Sequence, residues 1–462
     1  MMIDLTALAK GGICHDCTGK SDTGTRQLEE RQSSAAFNKD RHLTTNLMEQ
    51  ICASSNMRQA YKQVKRNKGA AGVDGMTVQE LGAHLKTQIG NIKSQLTQGV
   101  YRPQMVLGIK IPKPGGGERQ LGIPTVVDRF VQQAITQVLE PIFDPTFSDS
   151  SYGFRPKRGA HQALRAASAY VKDGSEWVVD LDLEKFFERV NHDILMSKIA
   201  KRIDDKRLLR LIRRYLEVGM MQDGVSTRRQ AGTPAGSPLS PLLSNIMLDE
   251  LDHELERRGH TFCRYADDCN IYVRSERAGK RVMESVTQFI EKRLQLTVNA
   301  AKSAVAKVNQ RKFLGYRLQN DGVLTVAPES LQRLKDKVRV LTKRNRGRSF
   351  ELVIDELNQT LRGWLNYFRL ASTRSVWMNL DSWIRRKLRC YRLKQRKGCK
   401  AIVTWLMNLG VREIDARKIG SSGKGWWCLS KTPALHRALN KEWFNNQGLF
   451  NLEERWSLWV NT

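Results

Sequence analysis

Acidic residues are in short supply: 47 Asp and Glu stand against 77 Lys and Arg, a formal charge of +30 with a pI near 10. Such one-sided charge is the electrostatic signature of a polyanion partner, nucleic acid first, although a membrane surface or a ribosome would also attract it. Long apolar runs are missing as well. No stretch approaches the ~20 residues needed to cross a bilayer, and the N-terminus shows no signal-peptide core, so a cytoplasmic protein without a membrane partner is expected. The eight cysteines are scattered over 462 residues, as in a chain whose thiols stay reduced. Cys14-His15-Asp16-Cys17 has no second pair nearby, whereas a structural zinc site would need about two more ligands; it reads as an incidental pair. Tryptophan is nearly absent from the first three-quarters of the chain, and nine of the ten lie from Trp364 onward. Some of these must pack a core, and others can stack on bases.

What the chain does have is a pair of adjacent carboxylates, Asp267-Asp268, set between two runs of strand-forming residues, Cys263-Arg264-Tyr265 and Cys269-Asn270-Ile271-Tyr272-Val273. Neighbouring side chains of a strand point to opposite faces, so two consecutive aspartates serve one site only where the backbone bends. Close carboxylates repel unless a cation lies between them, and hard oxygen ligands favour Mg²⁺; the other reading is a solvated Asp-Asp turn. Upstream, the alternation of Trp177 to Leu183 puts Val178, Asp180 and Asp182 on one face of a second strand. Three aspartates from two strands around paired Mg²⁺ ions would suit in-line phosphoryl transfer. Asp180 is either a further ligand or a salt-bridge partner.

These segments belong to a longer ordered series: Asn67 to Gly75, Ile111 to Pro124, Tyr152 to Pro156, Gly232-Thr233-Pro234, Pro238 to Leu243, Tyr265 to Asp268, and Phe313 to Tyr316. In this order they resemble the reverse transcriptases encoded by bacterial group II introns, class C-like short forms without an endonuclease domain. The resemblance implies an α+β right-hand polymerase: fingers, a palm with an antiparallel sheet, a helical thumb and a small basic C-terminal helical domain. It implies a catalytic and metal-binding triad of Asp182, Asp267 and Asp268 with two Mg²⁺ ions, Mn²⁺ being a substitute. Phe187 would exclude a 2′-hydroxyl. Lys113, Arg119 and Lys302 would contact the deoxynucleoside triphosphate, and Tyr316 with its neighbours would either grip the primer end or form plain strand core. Implied partners are group II intron RNA, an RNA template with a DNA or RNA primer, and target DNA.

The implied activity is RNA-directed DNA synthesis combined with a maturase role in splicing. Two alternatives stay open: an RNA-binding splicing factor with a decayed polymerase, and a host-domesticated reverse transcriptase in repair or defence. Two departures bear on activity. Relatives read Thr-Pro-Gln-Gly-Gly-Pro where this chain has Ala235 and Ser237 within Thr233 to Pro238, and they usually carry Asp in place of Glu188. The absence of paired cysteines near the C-terminus supports the reading without an endonuclease, and the primer is then expected from elsewhere.

Pattern and charge divide the chain into a polar leader, residues 1–43; fingers and palm, 44–325, with an N-terminal extension over 44–80; a helical thumb, 327–375; and a basic C-terminal domain, 376–462. A helix is expected from Leu47 to about Arg66, broken near Ser54-Ser55-Asn56, and another from Asp128 to Leu139. Two helical stripes, one through Leu331, Leu334, Val338 and Leu341 and one through Leu357, Leu361 and Phe368, are joined by the basic loop Lys343 to Arg348. On a later helix, Ile384, Leu388 and Tyr391 share a face, with Arg385, Arg386, Lys387 and Arg389 offered to phosphates.

Overall fold

The computed structural model describes residues 46–112, 116–222, 225–227, 231–234 and 236–460. The leader with Cys14 and Cys17, Lys113 and Ala235 lie outside the described residues. Among the described residues, ten strands form three sheets. In the first, β1 (Val106–Pro112) and β2 (Glu118–Ile123) form a hairpin in which Pro112 faces Glu118. The side of β1 away from β2 pairs in parallel with β4 (Met220–Gln222), which pairs with β5 (Val225–Thr227). A second pair joins β9 (Tyr316–Leu318) and β10 (Leu324–Val326).

The sheet that positions the site has the order β6 (Thr261–Tyr265), β7 (Asp268–Val273), β3 (Trp177–Leu181), β8 (Ala304–Lys307), antiparallel throughout. Strands β6, β7 and β3 are covered on both faces, in keeping with their Val, Ile and aromatic residues, whereas β8 is only partly buried. Val179, Leu181, Phe262, Ile271 and Val273 join one core, which the long helix Ser240–Arg257 also enters. On the opposite face Val178, Cys263 and Tyr272 meet Ala163, Leu164 and Ala167 of the helix Ala160–Lys172. Asp180 shares the parity of Val178, as the alternation requires, and lies opposite Asn270.

At the N-terminal end, helix Leu47–Cys52 is followed by Ser54–Asn67, and the break falls at Ala53 (φ −57°, ψ 137°). Ser54-Ser55-Asn56 therefore opens the second helix instead of forming the interruption, in line with the preference of short polar side chains for helix starts. Asn56 Nδ2 donates to Ile51 O and to Ala134 O, both at 3.0 Å, tying this junction to the next long helix. That helix runs Val126–Phe143, longer than the expected Asp128 to Leu139, because Thr125 caps it by accepting from Asp128 N.

From residue 328 on, the chain is helical. Pro328–Leu341, Phe350–Phe368 and Arg374–Gln395 build one continuous core with the short helices that follow, through Leu334, Val338, Leu357, Leu361, Trp377, Ile384 and Trp456. Hydrophobic contact thus runs without interruption across residues 375 and 376. Among the described residues, no helix is long and apolar enough to cross a membrane.

Candidate active site

The hairpin of β6 and β7 closes with Tyr265 opposite Asp268, leaving Ala266 and Asp267 as a two-residue turn. Ala266 has φ +59°, the sense such hairpins require but an uncommon one for a residue with a Cβ. Arg264 holds it there. This side chain is fully buried, and all five of its N–H groups are engaged. Nε and Nη2 form a fork on the Asp252 carboxylate at 2.7 and 2.5 Å; Nη1 donates to Asn245 Oδ1 (3.0 Å) and to Ala266 O (2.9 Å); Nη2 also donates to Ser151 Oγ (2.7 Å). Asn245 in turn donates to Gly153 O (3.0 Å). Gly153 lies so close behind the turn that a Cβ there would stand 2.3 Å from Ala266 N. The Tyr152-Gly153-Phe154 segment is thus the back wall of the aspartate turn.

Asp182 follows β3, whose last residue, Leu181, pairs with Cys269, so it emerges beside Asp268. Ser303 Oγ accepts from Asp182 N (3.0 Å), and Asp182 O accepts from Asn299 N (2.8 Å), which fixes the backbone that presents this carboxylate. Lys302 Nζ lies 3.1 Å from Asp182 Oδ2. Asp180 is 2.6 Å from Arg311, which also donates to Lys302 O, so the salt-bridge reading of Asp180 describes its position. A cleft of about 570 Å³ opens here, lined among others by Asp180, Asp182, Asp268, Lys302, Arg311 and Arg333. The Asp268 carboxyl opens to the cleft yet is pushed up to about 7, chiefly through enclosure by protein, then by Asp267, Asp180 and Asp182, with Lys302 opposing.

This geometry leaves the turn with negative charge that the protein only partly offsets. Among the described residues, no set of three or more His, Cys, Asp or Glu groups is gathered closely enough to hold an ion as it stands. The donor set nevertheless fits a hard divalent cation, since it offers carboxylate oxygens whose mutual repulsion such an ion would relieve.

Two family models match the chain: reverse transcriptase (RNA-dependent DNA polymerase) over residues 111–318, and the group II intron maturase-specific domain over 331–408. Protein YkfC of Escherichia coli strain K12 is 33% identical over 293 residues, 54% of this chain and 77% of that protein. The group II intron-encoded protein LtrA of Lactococcus lactis subsp. cremoris is 28% identical over 411 residues, 68% of each chain. The chain belongs to the group II intron reverse transcriptase/maturase family. Among solved structures, a partial Cas6-RT-Cas1–Cas2 complex is similar at 25% identity and a TM-score of 0.35, over 53% of this chain and 42% of that one.

In this reverse transcriptase, Phe187 is half-buried on the short helix Phe186–Arg189, edge-on to Phe186 with ring centroids 5.2 Å apart. Its carbonyl accepts from Thr233 N (2.7 Å), so Gly232 and Thr233 brace it from behind; a Cβ on Gly232 would meet Phe187 O at 2.7 Å. Ser237 is buried, with its Oγ 2.7 Å from Ser240 Oγ at the start of the Ser240–Arg257 helix. Glu188 is exposed. The backbone of Arg119 lies on β2 opposite Ile111. Tyr316 is core, fully buried and bonded through its hydroxyl to Tyr367 O, whereas Phe313, Leu314 and Gly315 line the cleft.

One of the four cations offered to phosphates must be corrected. Arg389 is buried, with Nε and Nη2 donating to Leu439 O at 3.0 and 2.8 Å, so it clamps the C-terminal helices and does not face solvent. Arg385, Arg386 and Lys387 remain partly exposed. The sequence reading missed Arg264, Asp252, Asn245, Ser303 and Arg311. For Arg264 a signal existed, since it shares the parity of the core residue Phe262 in a strand with both faces covered, and a charge at such a position needs a built partner.

Proposed function

We propose that this reverse transcriptase copies its parent intron RNA at a DNA target, extending a primer 3′-hydroxyl with deoxynucleoside triphosphates, and that it assists splicing of the same intron. The observation that carries the reading is the aspartate turn abutting Asp182 inside a cation-rimmed cleft. Asp182, Asp267 and Asp268 would hold the divalent ions, two Mg²⁺ or in substitution Mn²⁺. When bound, these ions would supply the positive charge that activates the hydroxyl and steadies the leaving phosphate. Lys302 brings an ammonium to the cleft floor and would neutralise departing pyrophosphate. Phe187, braced by the Gly232-Thr233 segment, would lie under the sugar and reject a 2′-hydroxyl sterically, and Lys113 and Arg119 would close on the triphosphate.

Residues 44–325 would act as fingers and palm, 327–375 as thumb, and 376–462 as a basic surface for target DNA and intron RNA, with Arg385, Arg386 and Lys387 contributing. On this reading the protein would act in the cytoplasm. Primer extension on an RNA template with Mg²⁺ tests the polymerase: the wild type extends, and the Asp267→Ala, Asp268→Ala double variant does not. Failure of both with RNA binding retained would favour the splicing factor with a decayed polymerase.

A further inference from the structure

Away from the aspartate turn, a second cavity of about 360 Å³ opens between the loop after the Pro328–Leu341 helix and the C-terminal helices, lined by Thr342, Arg344, Lys387, Cys390 and Trp427. Among the described residues, none that lines it is acidic, and neither Arg344 nor Lys387 has a carboxylate partner. Trp427 is 40% exposed, on a chain that buries Trp377, Trp405 and Trp456. The Arg386 guanidinium lies 3.5 Å from the Trp427 ring centroid and is itself fixed by donating to Trp427 O (3.0 Å) and Ser430 Oγ (3.3 Å). Lys387 Nζ stands 4.8 Å from the same centroid and 5.7 Å from that of Trp383, over which Arg339 also sits at 5.7 Å. Burial lowers the Lys387 pKa, with Cys390 opposing and the charges of Arg339, Arg344 and Arg386 adding to the effect.

A rigid, partly exposed indole beside unpaired cations has the two chemistries of a nucleotide: a planar ring to stack and a phosphate to neutralise. Duplex would satisfy only the second, because its bases already stack on one another. We propose that this pocket captures one unpaired nucleotide of a single-stranded RNA segment, its base on Trp427 and its phosphate between Arg344 and Lys387. The inference rests on the RNA-binding reading above and adds the form of RNA taken and the residues that take it.

The test uses the full-length protein and an RNA hexanucleotide carrying 4-thiouridine. Irradiation should cross-link it to the segment Trp426 to Cys428, with adenosine monophosphate competing and ribose 5-phosphate failing to compete. Trp427→Ala should weaken hexanucleotide binding about 5- to 150-fold, the range for one stacked base, without changing its salt dependence. Trp427→Phe, which keeps a ring in the same packing, should retain most of the affinity. Lys387→Gln should reduce the magnitude of the slope of log affinity against log salt by about 0.7, the contribution of one phosphate on a single strand. Cross-links confined to the aspartate cleft, equal competition by the two phosphates, or unaltered affinity of folded Trp427→Ala would overturn the assignment. Binding of the parent intron RNA by the wild-type protein reports on the RNA-binding reading alone: its retention without a cross-link at Trp426 to Cys428 is failure of the pocket, and its loss is failure of that reading.

Discussion

Replacing Arg264 by Met should separate what the buried network does for stability from what it does for the active site. The substitution keeps an unbranched side chain but strands the Asp252 carboxylate in a place with no solvent access and leaves Asn245 Oδ1, Ser151 Oγ and Ala266 O without their donor. Removing one partner of a buried ion pair costs about 3–5 kcal/mol, because the other charge stays buried. A second substitution, Asp252→Leu, removes that stranded charge, and exchange of a whole buried pair for apolar groups is often nearly neutral. The Arg264→Met, Asp252→Leu protein should therefore regain the share of the unfolding midpoint in urea that the stranded charge had cost, but not the share due to the acceptors left without a donor. Its activity should not follow. Ala266 still lacks the donor that holds its carbonyl, and a shift of about 1 Å in the adjacent carboxylates can cost on the order of 10²-fold in turnover. The assay is oligo(dT) extension on poly(rA) at saturating nucleotide, read beside the unfolding curve. Recovery of both stability and turnover in the double variant would refute the positioning role, and a loss below about 1 kcal/mol in the single variant would refute the energetics.

Gly153→Ala should lower extension by roughly the same factor, because the added Cβ meets backbone, 2.3 Å from Ala266 N, and the turn must give way; comparing kcat in the folded variant and the wild type checks this. Arg389→Gln should lower the unfolding midpoint while leaving the salt slope of RNA affinity unchanged, since its donors go to Leu439 O and not to solvent. Asp381 accepts from Leu452 N (3.1 Å) and Glu453 N (2.9 Å) at the start of the Leu452–Val460 helix, and burial pushes its carboxyl from 3.8 up to about 6. The folded state therefore binds this proton more tightly than the unfolded state. Its contribution to stability should grow as pH falls from about 6 to about 4, by on the order of 3 kcal/mol, and Asp381→Asn should flatten that part of the stability profile in urea titrations.

How much of this was legible in the sequence depended on whether the determinants were local. The two-strand hairpin around Asp267-Asp268 and the parity of Val178 and Asp180 follow from side-chain alternation, which is a property of a few consecutive residues. The stripe of Ile384, Leu388 and Tyr391 is likewise local, and all three are buried. Arg389 looked like its charged neighbours because its fate is set by Leu439, fifty positions away, folding back over it. The parallel pairing of β1 with β4, with more than a hundred residues between the strands, left no trace in either segment. The place of the break at Ala53 was within reach, had the short polar run after it been weighed as a helix start and not as an interruption.

Two cations on either side of the aspartate turn, Arg264 and Lys302, divide the work. Carboxylates brought close together repel one another, and a protein that cancelled this repulsion by ion-pairing each of them would leave no oxygen free to meet a cation. Arg264 avoids the conflict by acting behind the turn. Its charge is matched to Asp252, and only its remaining donors reach the aspartate turn and its back wall, through Ala266 O and, by way of Asn245, through Gly153 O. The backbone is therefore fixed without occupying the lone pairs of Asp268. Lys302 acts from the front, on Asp182 Oδ2, with its side chain exposed, so a competing cation or an incoming phosphate can draw it away at little cost. Replacing Lys302 should accordingly leave the unfolding midpoint almost unchanged and appear in the kinetics, whereas a replacement at Arg264 appears in both.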